Sequence, residues 1–202
     1  MPASRSRARP VPRVLLALAL TLGAGSSACT DEAAVEVAQL SGEAEQALAA
    51  GDPSQALFLA KRALERHGED AELLRLAAAA CNALERHADA AAFAQRGLDV
   101  VGDDEAVEAD LQFERGRASL GLYRELKLPA DWSKADVLLA DASKRGSHRA
   151  EAASLVVVMQ FLDGRNNVER ARQHARIVAE LDPGGRFDQL VDKVLAAQGV
   201  ER

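Results

Sequence analysis

Two cysteines, four histidines and scattered acid pairs are the side chains of this 202-residue chain whose chemistry could make or break a bond. His67, His87, His148 and His174 form no H-x-x-H, H-E-x-x-H or Cys/His cluster, so their spacing builds no metal-ligand set. Adjacent acids such as Asp103 and Asp104 fall in a solvated junction, whereas general acid–base work needs a cleft and a partner. No glycine-rich phosphate loop, Gly-x-Ser-x-Gly elbow or kinase-like set is present, and Gly184-Gly185 after Pro183 reads as a turn. Ala-Leu-Glu-Arg-His occurs at 63–67 and again at 83–87. Both copies are expected at helix C-termini, where Arg66, His67, Arg86 and His87 complement exposed carbonyls and the helix dipole. The sequence therefore points away from an enzyme, and no cofactor, metal or small-molecule substrate is expected. Cys29 and Cys81 can pair as a disulfide in an oxidising compartment or stay as free thiols.

The surroundings of Cys29 bear on that choice. Arg5, Arg7, Arg9 and Arg13 precede the apolar run Val14–Leu22, and small residues follow to Ala28, which together read as a secretory signal over residues 1–28. The apolar run is too short for a hydrocarbon core that needs about 20 residues. Ser27, Ala28 and Cys29 resemble the end of a bacterial lipoprotein signal, in which the cysteine after the cleavage site receives lipid. Ser26 stands where that family usually has Leu, and ordinary cleavage after Ala28 also satisfies a small-x-small rule. If lipidated, Cys29 cannot bridge to Cys81. Thr30, rather than Asp, after the cysteine then implies an outer-membrane lipoprotein facing the periplasm; ordinary cleavage implies a soluble periplasmic or secreted protein. Residues 29–34 are expected as a short tether.

The rest of the chain must be the scaffold. The formal net charge is -6, and cleavage after Ala28 removes four arginines and no acid, which takes it to -10. Such a body repels nucleic acid and anionic lipid heads. Alanine is abundant, aromatics make up 3% of the chain, and past residue 30 the prolines are Pro53, Pro129 and Pro183, so helix formers dominate over breakers. Val156, Val157 and Val158 interrupt the pattern, but the segment Glu151–Leu162, with Ser147 as a cap and Gly164 as a stop, reads as a buried helix. The fold class expected is all-α.

Small residues recur at i, i+4 and i+7 in four places: Ala56, Ala60, Ala63; Ala90, Ala94, Gly97; Ala135, Leu139, Ala142; and Ala171, Ala175, Val178. The offset from Ala56 to Ala90 is 34, the period of a tetratricopeptide unit, and Glu180, Leu181, Asp182, Pro183 form a typical ending for it. The chain resembles the tetratricopeptide repeat family over residues 37–185. That resemblance implies a right-handed alpha-solenoid of about four helix-turn-helix repeats, at 37–70, 71–104, 105–148 and 152–185, within a domain spanning 35–198. Gly51, Asp52 and Pro53 supply a helix stop, a cap and a first-turn proline. Cys81 falls on a buried face. Ala90 to Ala135 spans 45 residues, eleven more than the period, which places an overlong helix or hairpin at Leu111–Leu126 and Lys127–Ala130. Residues 186–198, with Phe187, Leu190, Val191, Val194 and Leu195 apolar, are expected as a capping helix.

In the family, the first helices of the repeats line a concave groove for a peptide or another protein's helix. By register that groove presents Ser41, Glu45 and Leu48, then Glu72, Arg75, Ala79 and Asn82, then Val156, Gln160 and Asp163. Only Arg75 and Asn82 resemble the Lys, Asn and Arg set with which chaperone-binding members hold a terminal carboxylate, so that ligand class is rejected. Tyr123 and Trp132 bracket the insertion, and aromatics are enriched in binding hot spots, although Trp132 also aligns with a position that packs inside its own repeat. The function implied is a non-catalytic protein-interaction module of the bacterial envelope, an adaptor or assembly factor with a protein or peptide partner. The alternative is a soluble structural subunit that associates with copies of itself.

Overall fold

A computed structural model describes residues 27–202, with side chains from Val35 onward. Residues 1–26 of the expected leader and the Cys29 side chain fall outside what it describes. Nine α-helices and one 3-10 turn make up the described residues, with no strand among them, so the fold is all-α. They are α1 (Ser27–Ala49), α2 (Pro53–His67), α3 (Ala71–Ala83), α4 (His87–Val100), α5 (Glu105–Leu126), α6 (Pro129–Ala142), α7 (Arg149–Met159), the 3-10 turn Leu162–Gly164, α8 (Val168–Leu181) and α9 (Arg186–Ala197). The backbone of 29–34, read above as a tether, belongs to α1.

Local chemistry fixes most helix starts. The Asp52 carboxylate accepts from Gln55 N at 3.0 Å, Asp70 from Leu73 N at 2.9 Å, and Asp104 from Ala106 N and Val107 N at 3.1 Å. Each such cap satisfies an otherwise orphaned amide and is worth ~1 kcal/mol. Pro53 and Pro129 occupy first-turn positions of α2 and α6, where a missing N–H costs nothing. Three local expectations are corrected. Arg86 and His87 start α4 instead of ending α3, because Glu85, at φ 58°, already turns the chain. His148, not Ser147, occupies the N-cap position of α7; the Ser147 hydroxyl donates instead to Asp110 at 2.7 Å. Finally, α7 stops at Met159, since Asp163 and Gly164 at φ 54° and 77° reverse the chain before α8.

Helices adjacent in sequence pack as antiparallel hairpins, and the hairpins stack in order. The odd-numbered helices also touch along one side, α1 on α3, α3 on α5 and α7 on α9. The small-residue stripes are the reason the hairpins can close. All twelve positions of the four i, i+4, i+7 triplets are buried. At Gly97 a Cβ would sit 2.5 Å from the Leu111 side chain, so α4 approaches α5 with no room for a methyl group. Leu40, Leu73, Leu76, Ala77 and Cys81 fill the core of the first two hairpins; Phe113, Leu139, Val156 and Met159 fill that of the third against α7; Val157, Val178, Val191 and Leu195 join α7, α8 and α9. The extra length of the third hairpin lies in α5, 22 residues against 13 in α3, as an overlong helix. α9 covers the far end of the stack, burying Val191 and Leu195.

Candidate functional site

α5 and α7 run side by side, yet they are not among the helix pairs in close backbone contact. Large side chains hold them apart. At the N-terminal end the Phe113 and His148 rings stack with centroids 4.4 Å apart and an interplanar angle of 8°. There the turn before α7 is also stitched to α5, through Ser147 on Asp110 and Arg145 on Glu108 at 3.3 Å. At the C-terminal end the Tyr123 hydroxyl donates to Asp163 at 2.7 Å and the Lys127 ammonium reaches the same carboxylate at 2.9 Å. Between these two stitches lies a cavity of about 260 Å³, walled by Arg117, Leu120 and Arg124 of α5 and by Glu151 and Leu155 of α7. Asn82, Glu85 and His87 close its other side.

Asn82 is 6% exposed. Its Nδ2 donates to the Glu114 main-chain oxygen and to the Glu114 carboxylate, both at 2.8 Å, which fixes the amide orientation. Its Oδ1 then has no hydrogen-bond partner among the described residues, and neither has His87 Nδ1. The His87 ring lies directly on Gly121, where a Cβ would collide with it. Glu114, itself buried, also faces Arg117 at 3.4 Å, and the Arg117 guanidinium lies over the Phe113 ring. The cavity thus offers the guanidiniums of Arg117 and Arg124 and the carboxylates of Glu85 and Glu151 in a mainly polar lining, with Leu120 and Leu155 as its apolar side chains.

The expected groove residues divide. Glu45, Glu72 and Arg75 do converge: Arg75 reaches Glu72 at 2.5 Å and Glu45 at 3.5 Å. Burial opposes the Arg75 charge, but the Glu72 carboxylate, with Asp110 and Glu114, holds its pKa above the ordinary arginine value. Asn82 belongs to the cavity floor. Gln160 and Val156 are corrected from groove to core, because their side of α7 turns inward; Gln160 Nε2 donates to Asp136 and to the Val156 carbonyl at 3.2 Å. Tyr123, 4% exposed, is a latch under the 3-10 turn and presents no free surface. Trp132 packs half-buried on the third hairpin with Arg165 4.1 Å from its ring centroid, and its Nε1 finds no partner among the described residues.

Sequence reasoning missed Arg117, Glu151 and Leu155. Their signal was present: Arg117 to Glu151 and Gly121 to Leu155 are both offsets of 34, the repeat period itself. Cys81 is buried in the first core cluster, and burial pushes its thiol pKa up, so it is unreactive. His174 is buried with Nδ1 3.0 Å from the Arg170 carbonyl, and burial pushes its pKa down. Among the described residues there is no cluster of metal-ligating side chains and no helix long and apolar enough to cross a membrane. Compared with protein-family models and with curated proteins, the chain matches none.

Proposed function

We propose that this chain is a non-catalytic protein-interaction module of the bacterial envelope, a tetratricopeptide-type solenoid that binds an extended segment of a partner protein along its odd-numbered helices. The observation that carries the reading is the α5–α7 cavity, an opening of about 260 Å³ that gathers the guanidiniums of Arg117 and Arg124 with the Glu85 and Glu151 carboxylates beside Leu120 and Leu155. Charges of both signs facing one opening suit the polar groups of an extended peptide. In this reading export comes from the residue 1–28 leader, and lipid on Cys29 tethers the mature chain to the outer membrane on its periplasmic side. Because Cys29 already lies within α1, the tethered stack has little slack and stands close to the bilayer.

The test uses a photo-crosslinking residue placed at Arg124, on the cavity wall, or at Phe58, exposed on the even-numbered side. A discrete protein adduct from position 124 and none from 58 supports the reading; adducts from 58 alone refute it. Palmitate labelling of the wild type but not of Cys29→Ser tests the tether, and an unlabelled wild type refutes it.

A further inference from the structure

We propose that His148, stacked on Phe113 and facing Glu151, is a proton-operated clasp that holds the first turn of α7 against α5 and so sets the width of the adjoining cavity. The position of this residue carries the argument. His148 stands at the N-cap of α7 without a side-chain cap bond to that helix, so its ring is committed to the seam. One face of the ring meets Phe113 of α5, and its Nδ1 lies 3.8 Å from the Glu151 carboxylate one turn into α7. Glu151 is also a wall of the cavity. The ring therefore reaches across the seam to α5 while pairing, within α7, with a carboxylate that lines the opening.

The charges around the ring favour its protonated form. The Glu151 carboxylate raises the His148 pKa above the ordinary histidine value, with Glu114 and Asp110 of α5 adding to it, against the opposing effect of burial. Reciprocally, His148 lowers the Glu151 pKa against burial, helped by Arg117 of α5 and Arg186 of α9. From α3, Arg75 faces Asp110 and Glu114 and tempers their pull. From α6, Asp136 is taken by Arg170 of α8 and by Gln160, and His174 of α8 is bonded to its own helix. A raised histidine stabilises the fold fully below its unfolded value and ceases to as pH rises through the folded value. Glu151, being lowered, stays ionised throughout that range. Deprotonation thus leaves a half-buried carboxylate whose remaining cations are Arg117, across the cavity, and Arg186. The neutral ring still stacks, but the attraction of Glu114 and Asp110 on α5 for its charge is gone.

The device concerns the free chain, so it stands or falls apart from what the cavity binds. Amide hydrogen exchange of the full chain, corrected for intrinsic rates, is followed at about pH 5.5 and about pH 8, on either side of the usual imidazole range. The protection of amides in 150–156, taken relative to those of α3, is expected to drop roughly three- to tenfold at the higher pH. His148→Phe, which keeps an aromatic ring on Phe113 and removes the proton, is expected to give a pH-independent ratio. A wild-type ratio that does not change, or an equal drop in His148→Phe, overturns the proposal. Should that variant not fold, Glu151→Gln decides: the His148 ring titration, followed by NMR, is expected to move to lower pH, and an unmoved midpoint overturns the clasp.

Discussion

Asn82 on α3 and Glu114 on α5 are joined by two hydrogen bonds of 2.8 Å, one to the carboxylate and one to the main chain, across 32 residues of sequence. Both residues are buried, so the amide is the principal neutral partner of a carboxylate that is largely removed from water. Asn82→Ala is expected to destabilise the fold by about 2–4 kcal/mol, because it leaves a buried charge short of a donor. Asn82→Asp is expected to be worse than Asn82→Ala at neutral pH, because it sets a second carboxylate against that of Glu114. Urea unfolding of both variants at neutral pH checks this. An aspartate variant no less stable than the alanine variant would show that the carboxylate of Glu114 does not face position 82.

The hairpins were legible in the sequence because small residues at a fixed helical spacing are a packing signal in themselves. Ala56, Ala60 and Ala63, and their counterparts out to Ala171, Ala175 and Val178, are all fully buried. The insertion was legible as length, and its form as an overlong helix follows from a stretch without proline until Pro129. The cavity was not, because it depends on how far two helices are propped apart. That distance is set by side-chain bulk at Phe113 and His148 and by a latch between Tyr123 and a turn 40 residues away. Gln160 was misplaced for a related reason. A polar residue on a repeat's first helix reads as groove lining, but here α7 ends one residue earlier and its amide turns inward to the Val156 carbonyl.

The caps give a second prediction. Asp104 holds two amides at the start of α5, whereas Asp52 holds one at the start of α2, which Pro53 already favours. Asp104→Ala is expected to cost ~1–2 kcal/mol and Asp52→Ala ~0.5–1 kcal/mol in urea unfolding. The ordering is the informative part, and an Asp52 variant more damaged than the Asp104 variant contradicts it.

Gly121 offers a third. The His87 ring occupies the space of its missing side chain, which joins the start of α4 to the C-terminal part of α5. Gly121→Ala forces that ring outward and is expected to cost about 1–3 kcal/mol through overpacking, despite the better helix propensity of alanine. Combining it with His87→Ala should recover most of the loss, since the two changes share one contact. Additive losses in the double variant would remove the contact from the account.

The latch at the far end of the seam has a pH signature of its own. Tyr123 and Lys127 hydrogen-bond the Asp163 carboxylate and hold its pKa below the ordinary aspartate value. A lowered carboxylate contributes stability that is complete above its unfolded pKa and disappears as pH falls through its folded pKa. Asp163 also sits at φ 54°, a left-handed conformation that asparagine tolerates about as well, so Asp163→Asn removes the charge without adding backbone strain. The wild type is therefore expected to melt above Asp163→Asn at neutral pH and to converge with it below the carboxylate range. Tyr123→Phe should lie between the two at neutral pH and converge in the same way. Melting curves that stay parallel from neutral to acid would mean that the carboxylate does not hold the 3-10 turn onto α5, and that the seam is closed at that end by packing alone.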